Sequence, residues 1–66
     1  MDARIETSGD WAGTIEVSVN GEAEYSTTSK HDKNITFNRQ LEKNDIFTVK
    51  SKDVDGNLNI EIKVKD

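Results

Sequence analysis

From Asn57 to Lys65 the chain alternates without interruption. Leu58, Ile60, Ile62 and Val64 fall on one side, and Asn59, Glu61, Lys63 and Lys65 on the other. A strict period of two predicts a strand in a sheet with one wet face. Thr14 to Asn20 repeats the logic, with Ile15, Val17 and Val19 inward and Glu16 and Ser18 outward. Asn20-Gly21 follows at once. This dipeptide tolerates the positive φ angles of a two-residue type I′ turn, so it predicts a hairpin. Ala23 and Tyr25 are then the inward positions of a return strand that runs to about Thr28. Asp55-Gly56 is a second dipeptide of the same kind and predicts a hairpin into the final strand.

The remaining segments are shorter. Lys30-His31-Asp32-Lys33 reads as a polar turn, and Asn34 to Asn38 as a strand with Ile35 and Phe37 inward. Leu41 to Asp45 reads as a tight turn, with Asn44 left-handed and Leu41 tucked beneath it. Ile46 to Lys52 is the next strand. Phe47 and Val49 are its expected core pair, although Ile46 competes for the register. An opening strand covers roughly Arg4 to Ser8. Ile5 is its single large apolar residue, so a weak hold on the core is expected. No segment keeps a helical period. Short strands between frequent turns predict an all-β fold: a small antiparallel β-sandwich of about five to seven strands with no substantial helix. The expected core comprises Ile5, Trp11, Ile15, Val17, Val19, Tyr25, Ile35, Phe37, Leu41, Phe47, Val49, Leu58, Ile60 and Ile62.

Size and charge narrow the functions. The 66 residues read as a single domain over 1–66, whole or excised from a longer chain. Such a chain buries only about 60% of its unfolded surface. There is no cysteine to staple it, and one histidine builds no zinc site alone. Nine basic against thirteen acidic residues give a net charge of −4, which argues against nucleic acid and against an anionic membrane surface. No stretch is apolar enough to insert in a bilayer. No apolar run follows Met1-Asp2-Ala3-Arg4, so no signal peptide is expected.

Few residues suggest chemistry. Asp53, Asp55 and Asn57 place oxygen side chains at alternate positions beside Gly56, a spacing calcium loops use. The competing reading is a hairpin turn with solvated neighbours. Trp11 stands between Gly9 and Gly13. It either plugs the end of the core or offers an exposed platform to a sugar or a partner. His31 sits beside Asp32, but adjacent side chains diverge in an extended chain, and a surface histidine is the simpler reading. Glu16, Glu22, Glu24 and Glu61 read as the solvated face rather than a paired-carboxylate site. Asn34-Ile35-Thr36 is a glycosylation triplet of the kind that arises by chance. No catalytic residue and no cofactor site emerge.

The order Gly9-Asp10-Trp11-Ala12-Gly13, a strand, Leu41 with Asn44-Asp45 before Phe47-Thr48-Val49, then Gly56-Asn57-Leu58-Asn59-Ile60-Glu61-Ile62 resembles a family. It is similar to the small β-sandwich domains of prokaryotic envelope lipoproteins, including the soluble domain of the MmpS transport-accessory proteins. The resemblance spans about Gly9 to Val64. It implies an immunoglobulin-like sandwich tethered outside the membrane that acts through partners; the lipobox cysteine of that family has no counterpart here. The expected function is therefore a non-catalytic protein-interaction or accessory domain, not an enzyme. Its expected partner is a protein, either a neighbouring domain or a second copy in a weak homodimer. A small carbohydrate-binding module using Trp11 and Tyr25 is the alternative.

Overall fold

The alternating segments fold as strands. The computed structural model describes residues 1–31 and 34–66, and in it the strands are β1 (Asp2–Ser8), β2 (Trp11–Val19), β3 (Glu22–Lys30), β4 (Thr36–Gln40), β5 (Phe47–Gly56) and β6 (Asn59–Lys65). They form two three-stranded antiparallel sheets, ordered β4-β1-β6 and β3-β2-β5. The sheets share one core, in which Ile5 of the first meets Trp11, Ile15 and Val17 of the second, so the fold is a small β-sandwich. Among the described residues there is no helix, and hence none long and apolar enough to cross a membrane.

The opening strand is not weakly held. β1 is the central strand of its sheet and buries Ala3, Ile5 and Thr7 on one face. A single large apolar residue suffices because Thr7 is buried with its polar groups satisfied. Its backbone N–H donates to the Ile35 carbonyl at 2.9 Å, and its Oγ1 accepts the Ile35 N–H at 2.8 Å. That clasp holds Ile35 in the core just before β4 begins. Leu41 is fixed in the same manner to the chain start: its N–H donates to the Met1 carbonyl at 2.7 Å. Asn44 takes the expected left-handed backbone, at φ 74°.

Asn20 and Gly21, at φ 53° and 82°, form the expected two-residue hairpin, flanked by the pair Val19–Glu22. The return strand departs from the simple alternation. A bulge lies between Val17–Tyr25 and Ser18–Ala23, with Glu24 as the additional residue. One extra residue reverses the faces beyond it. Tyr25 therefore stays inward opposite Val17, while Ala23 is exposed opposite Ser18 instead of facing the core.

Asp55-Gly56 makes no hairpin. Gly56 ends β5 opposite Trp11 of β2, whereas β6 pairs with β1 in the other sheet. The chain between them is an arch from sheet to sheet. It packs against the arch from β1 to β2: the Asn57 N–H donates to the Asp10 carbonyl at 2.8 Å. A side chain on Gly9 would strike the Asn57 carbonyl, and one on Gly56 would strike that of Asp10. The positive φ of both residues, 102° and 94°, and this close approach account for glycine at each position.

Candidate functional site

The two long sides of the sandwich differ. On the β3–β4 side the sheets are fastened together. Tyr25 of β3 stacks on Phe37 of β4, with ring centroids 4.6 Å apart and planes 15° from parallel. The bulge frees Glu24 to meet Arg39 across the gap, with Nε donating to Oε1 at 2.6 Å and Nη2 to Oε2 at 3.1 Å. The Arg39 guanidinium holds the Glu24 carboxyl below its ordinary range, and Glu24 raises the pKa of Arg39 in return. The alternation of the sequence did not reveal this pair, because only the bulge brings Glu24 to that edge.

The β5–β6 side has no such fastening. Among the described residues no side-chain hydrogen bond or ion pair joins the two strands. β6 lies with Ile60, Ile62 and Val64 opposite Thr7, Ile5 and Ala3 of β1. Residues directly opposite in an antiparallel pair share a face, so all three apolar side chains of β6 stand on the inner face. They are nevertheless 38%, 50% and 56% exposed. The expectation that Ile60 and Ile62 belong to the buried core is thus corrected. They face the right way, but nothing from β5 reaches across to cover them. Leu58, Phe47 and Val49 are half-buried against the core on the same side. Ser51 follows Val49 on the inner face of β5, opposite Ile15, and is exposed. The open side thus presents half-buried apolar residues of β5 and Leu58 beside the half-exposed inner face of β6.

The loop from β4 to β5 is tied to the β2–β3 hairpin by side-chain hydrogen bonds. Asn20 of the hairpin donates from Nδ2 to Asp45 Oδ1 at 2.9 Å and accepts the Ile46 N–H on Oδ1 at 2.9 Å. The other Asp45 oxygen accepts the Glu42 N–H at 2.8 Å. The Asn20 amide and then the Glu42 N–H lower the Asp45 pKa. This leaves Ile46 exposed, and the register settles with Phe47 opposite Val19 and Val49 opposite Val17.

The other candidates fall elsewhere. Trp11 is 1% exposed, so its indole offers no face to a sugar or a partner, and its Nε1 has no hydrogen-bond partner. Tyr25 is half-buried under its stack with Phe37. Asp53 and Asp55 lie along β5, with Asp53 at a bulge and φ 54°, and Asn57 lies in the arch. Extended chain advances about 3.3 Å per residue, so these oxygens are strung out rather than gathered into a loop. No group of three or more His, Cys, Asp or Glu able to hold a metal occurs among the described residues. His31 pairs with Asp10, Nδ1 to Oδ1 at 2.9 Å, which ties the end of β3 to the first arch. Its sequence neighbour Asp32, like Lys33, lies outside the described residues. A hollow on the outer face of the β4-β1-β6 sheet is lined by Asp2, Arg4, Asn38, Lys63 and Lys65 among others. Its charges are of both signs, and Arg4 and Lys63 both lean on Glu6, at 2.9 and 3.5 Å.

The open β5–β6 side is the feature of this molecule with the character of a binding site: unsatisfied apolar surface beside free strand edges. Compared with known proteins, the chain matches no family model, no curated protein and no solved structure.

Proposed function

We propose that this chain is a non-catalytic protein-interaction or accessory domain whose working surface is the open β5–β6 side. The observation that carries the reading is the exposure of Ile60, Ile62 and Val64 on the inner face of an edge strand. Apolar groups on an inner face beside free N–H and C=O groups suit strand addition. In that mode the backbone supplies affinity and alternate side chains supply specificity. The resemblance to the envelope lipoprotein domains supports an immunoglobulin-like accessory role outside the membrane. The burial of Trp11 leaves the carbohydrate alternative without its main platform. Trp11 emission is accordingly expected to be blue-shifted already and unmoved by oligosaccharides.

A photo-crosslinking amino acid at position 62 tests the reading in the cell of origin, with one at Ser26 on the closed side as reference. Protein adducts at position 62 and none at position 26 are expected. Equal labelling at both positions, or none at either, would contradict it.

A further inference from the structure

The sandwich has an outer edge on each of β3, β4, β5 and β6, and three of them are blunted. β3 carries the Glu24 bulge. β4 is only five residues long. β5 is broken by the bulge at Asp53 and Val54 and carries Lys50 and Lys52. Bulges, short length and like charge are the ordinary defences of an edge strand. β6 has neither a bulge nor a short length, and its charges are of both signs, Glu61 with Lys63 and Lys65. It runs seven residues in unbroken register with β1 and leaves its other edge free.

Two of the three charges of β6 are poorly matched to the neighbour it has, while Lys65 stands opposite Asp2. Glu61 stands directly opposite Glu6 of β1, and Lys63 directly opposite Arg4. Like charges directly opposite are unfavourable. The ion pairs that form are lateral or diagonal, Lys63 to Glu61 at 3.4 Å and to Glu6 at 3.5 Å. Those pairs raise the Lys63 pKa.

The same charges match a second β6. In an antiparallel self-pair about a two-fold axis, a register that pairs all seven residues, Asn59 to Lys65, has Ile62 on the axis. Glu61 then faces Lys63 of the other copy, and Lys63 faces its Glu61. Ile60 faces Val64, and Ile62 faces Ile62. Every apolar residue meets an apolar residue, and both charge pairs are attractive. Centring on Glu61 or Lys63 instead would set two like charges on the axis, and parallel in-register pairing would set Glu61 against Glu61. A patch that complements itself in this fashion is what a two-fold interface requires.

We propose that β6 is a homodimerisation strand, pairing with β6 of a second copy in the register centred on Ile62. The two β4-β1-β6 sheets become one continuous six-stranded sheet, and Ile60, Ile62 and Val64 of both copies close over the shared inner face. The inference rests on the reading of the β5–β6 side as a docking surface and names its occupant. The dimer is weak, because one strand edge buries well under the roughly 1,200 Å² of a standard interface.

The charge pattern provides the test. Glu61→Lys replaces both attractive intermolecular pairs with repulsive ones, yet sets Lys against Glu6 within the chain. It is expected to fold at least as well as the wild type while its dimer dissociation constant, read by sedimentation, rises about tenfold. Glu61→Lys with Lys63→Glu restores both intermolecular pairs and is expected to regain wild-type association. Ile62→Cys introduces a lone cysteine on the axis and is expected to form a disulfide dimer with oxidised glutathione, whereas Ile60→Cys forms little. A wild type that stays monomeric at high micromolar concentration would overturn the proposal, as would a Glu61→Lys chain that associates like the wild type. Cellular adducts of position 62 with a different protein, together with a monomeric wild type, would overturn self-pairing alone and leave the docking role standing.

Discussion

Ile5 and Ile62 stand directly opposite each other on the inner face of one sheet, yet Ile5 is 1% exposed and Ile62 is 50% exposed. The difference comes from what lies across the sandwich. Ile5 faces Trp11, Ile15 and Val17 of the second sheet, while Ile62 stands at the rim where no strand covers it. Two chemically identical residues in one pair thus measure how far the core extends.

Their truncations should separate accordingly. Ile5→Ala removes a fully enclosed side chain and is expected to cost about 2–5 kcal/mol, a large part of the stability of a domain this small. Ile62→Ala is expected to cost about 1 kcal/mol or less in the monomer. Urea melts of dilute protein check both. Equal losses would mean that the β5–β6 side is closed.

The crossed arches make a second prediction. Gly56→Ala meets both a positive φ and the Asp10 carbonyl, whereas Gly21→Ala meets a positive φ with nothing within 4 Å of the new methyl. Gly21→Ala should cost about 1–2 kcal/mol for its backbone conformation alone. Gly56→Ala should lower the melting temperature further. The reverse order would place the turn of the last segment elsewhere.

The pH dependence follows from Glu24 and Asp45. Both carboxyls titrate below their ordinary values in the folded chain, Glu24 through Arg39 and Asp45 through Asn20 and the Glu42 N–H. A depressed folded pKa adds stability above the unfolded pKa, and that stability is lost as pH falls through the folded value. The melting temperature is expected to fall below about pH 4. The fall should be shallower in the Glu24→Gln/Asp45→Asn variant. An identical acid profile for that variant would show that neither contact persists in solution.

How much of this was legible in the sequence differs from element to element. A period of two identified the strands and most of their inner faces, Ala23 beyond the bulge excepted, and Asn20-Gly21 set one hairpin, because both are local properties. Asp55-Gly56 carries the same turn chemistry but serves an arch. Turn residues permit a backbone angle, while the choice of partner strand is made by burial, here of Ile5 and Thr7 between β4 and β6. The open side was not legible for a related reason. Alternation tells which way Ile60, Ile62 and Val64 point, but not whether the opposite sheet extends far enough to cover them. Glu24–Arg39 and Asn20–Asp45 were missed because each joins segments far apart in sequence, one through a bulge and one through a hairpin tip.

Residue-resolved amide hydrogen exchange at low and high protein concentration tests the central claim, that the sandwich is fastened along β3–β4 and recruits its partner along β6. The expected result is that protection on alternate amides of β6 rises with concentration while β3 and β4 stay unchanged. Protection that is independent of concentration everywhere, or that grows along β3, would contradict it.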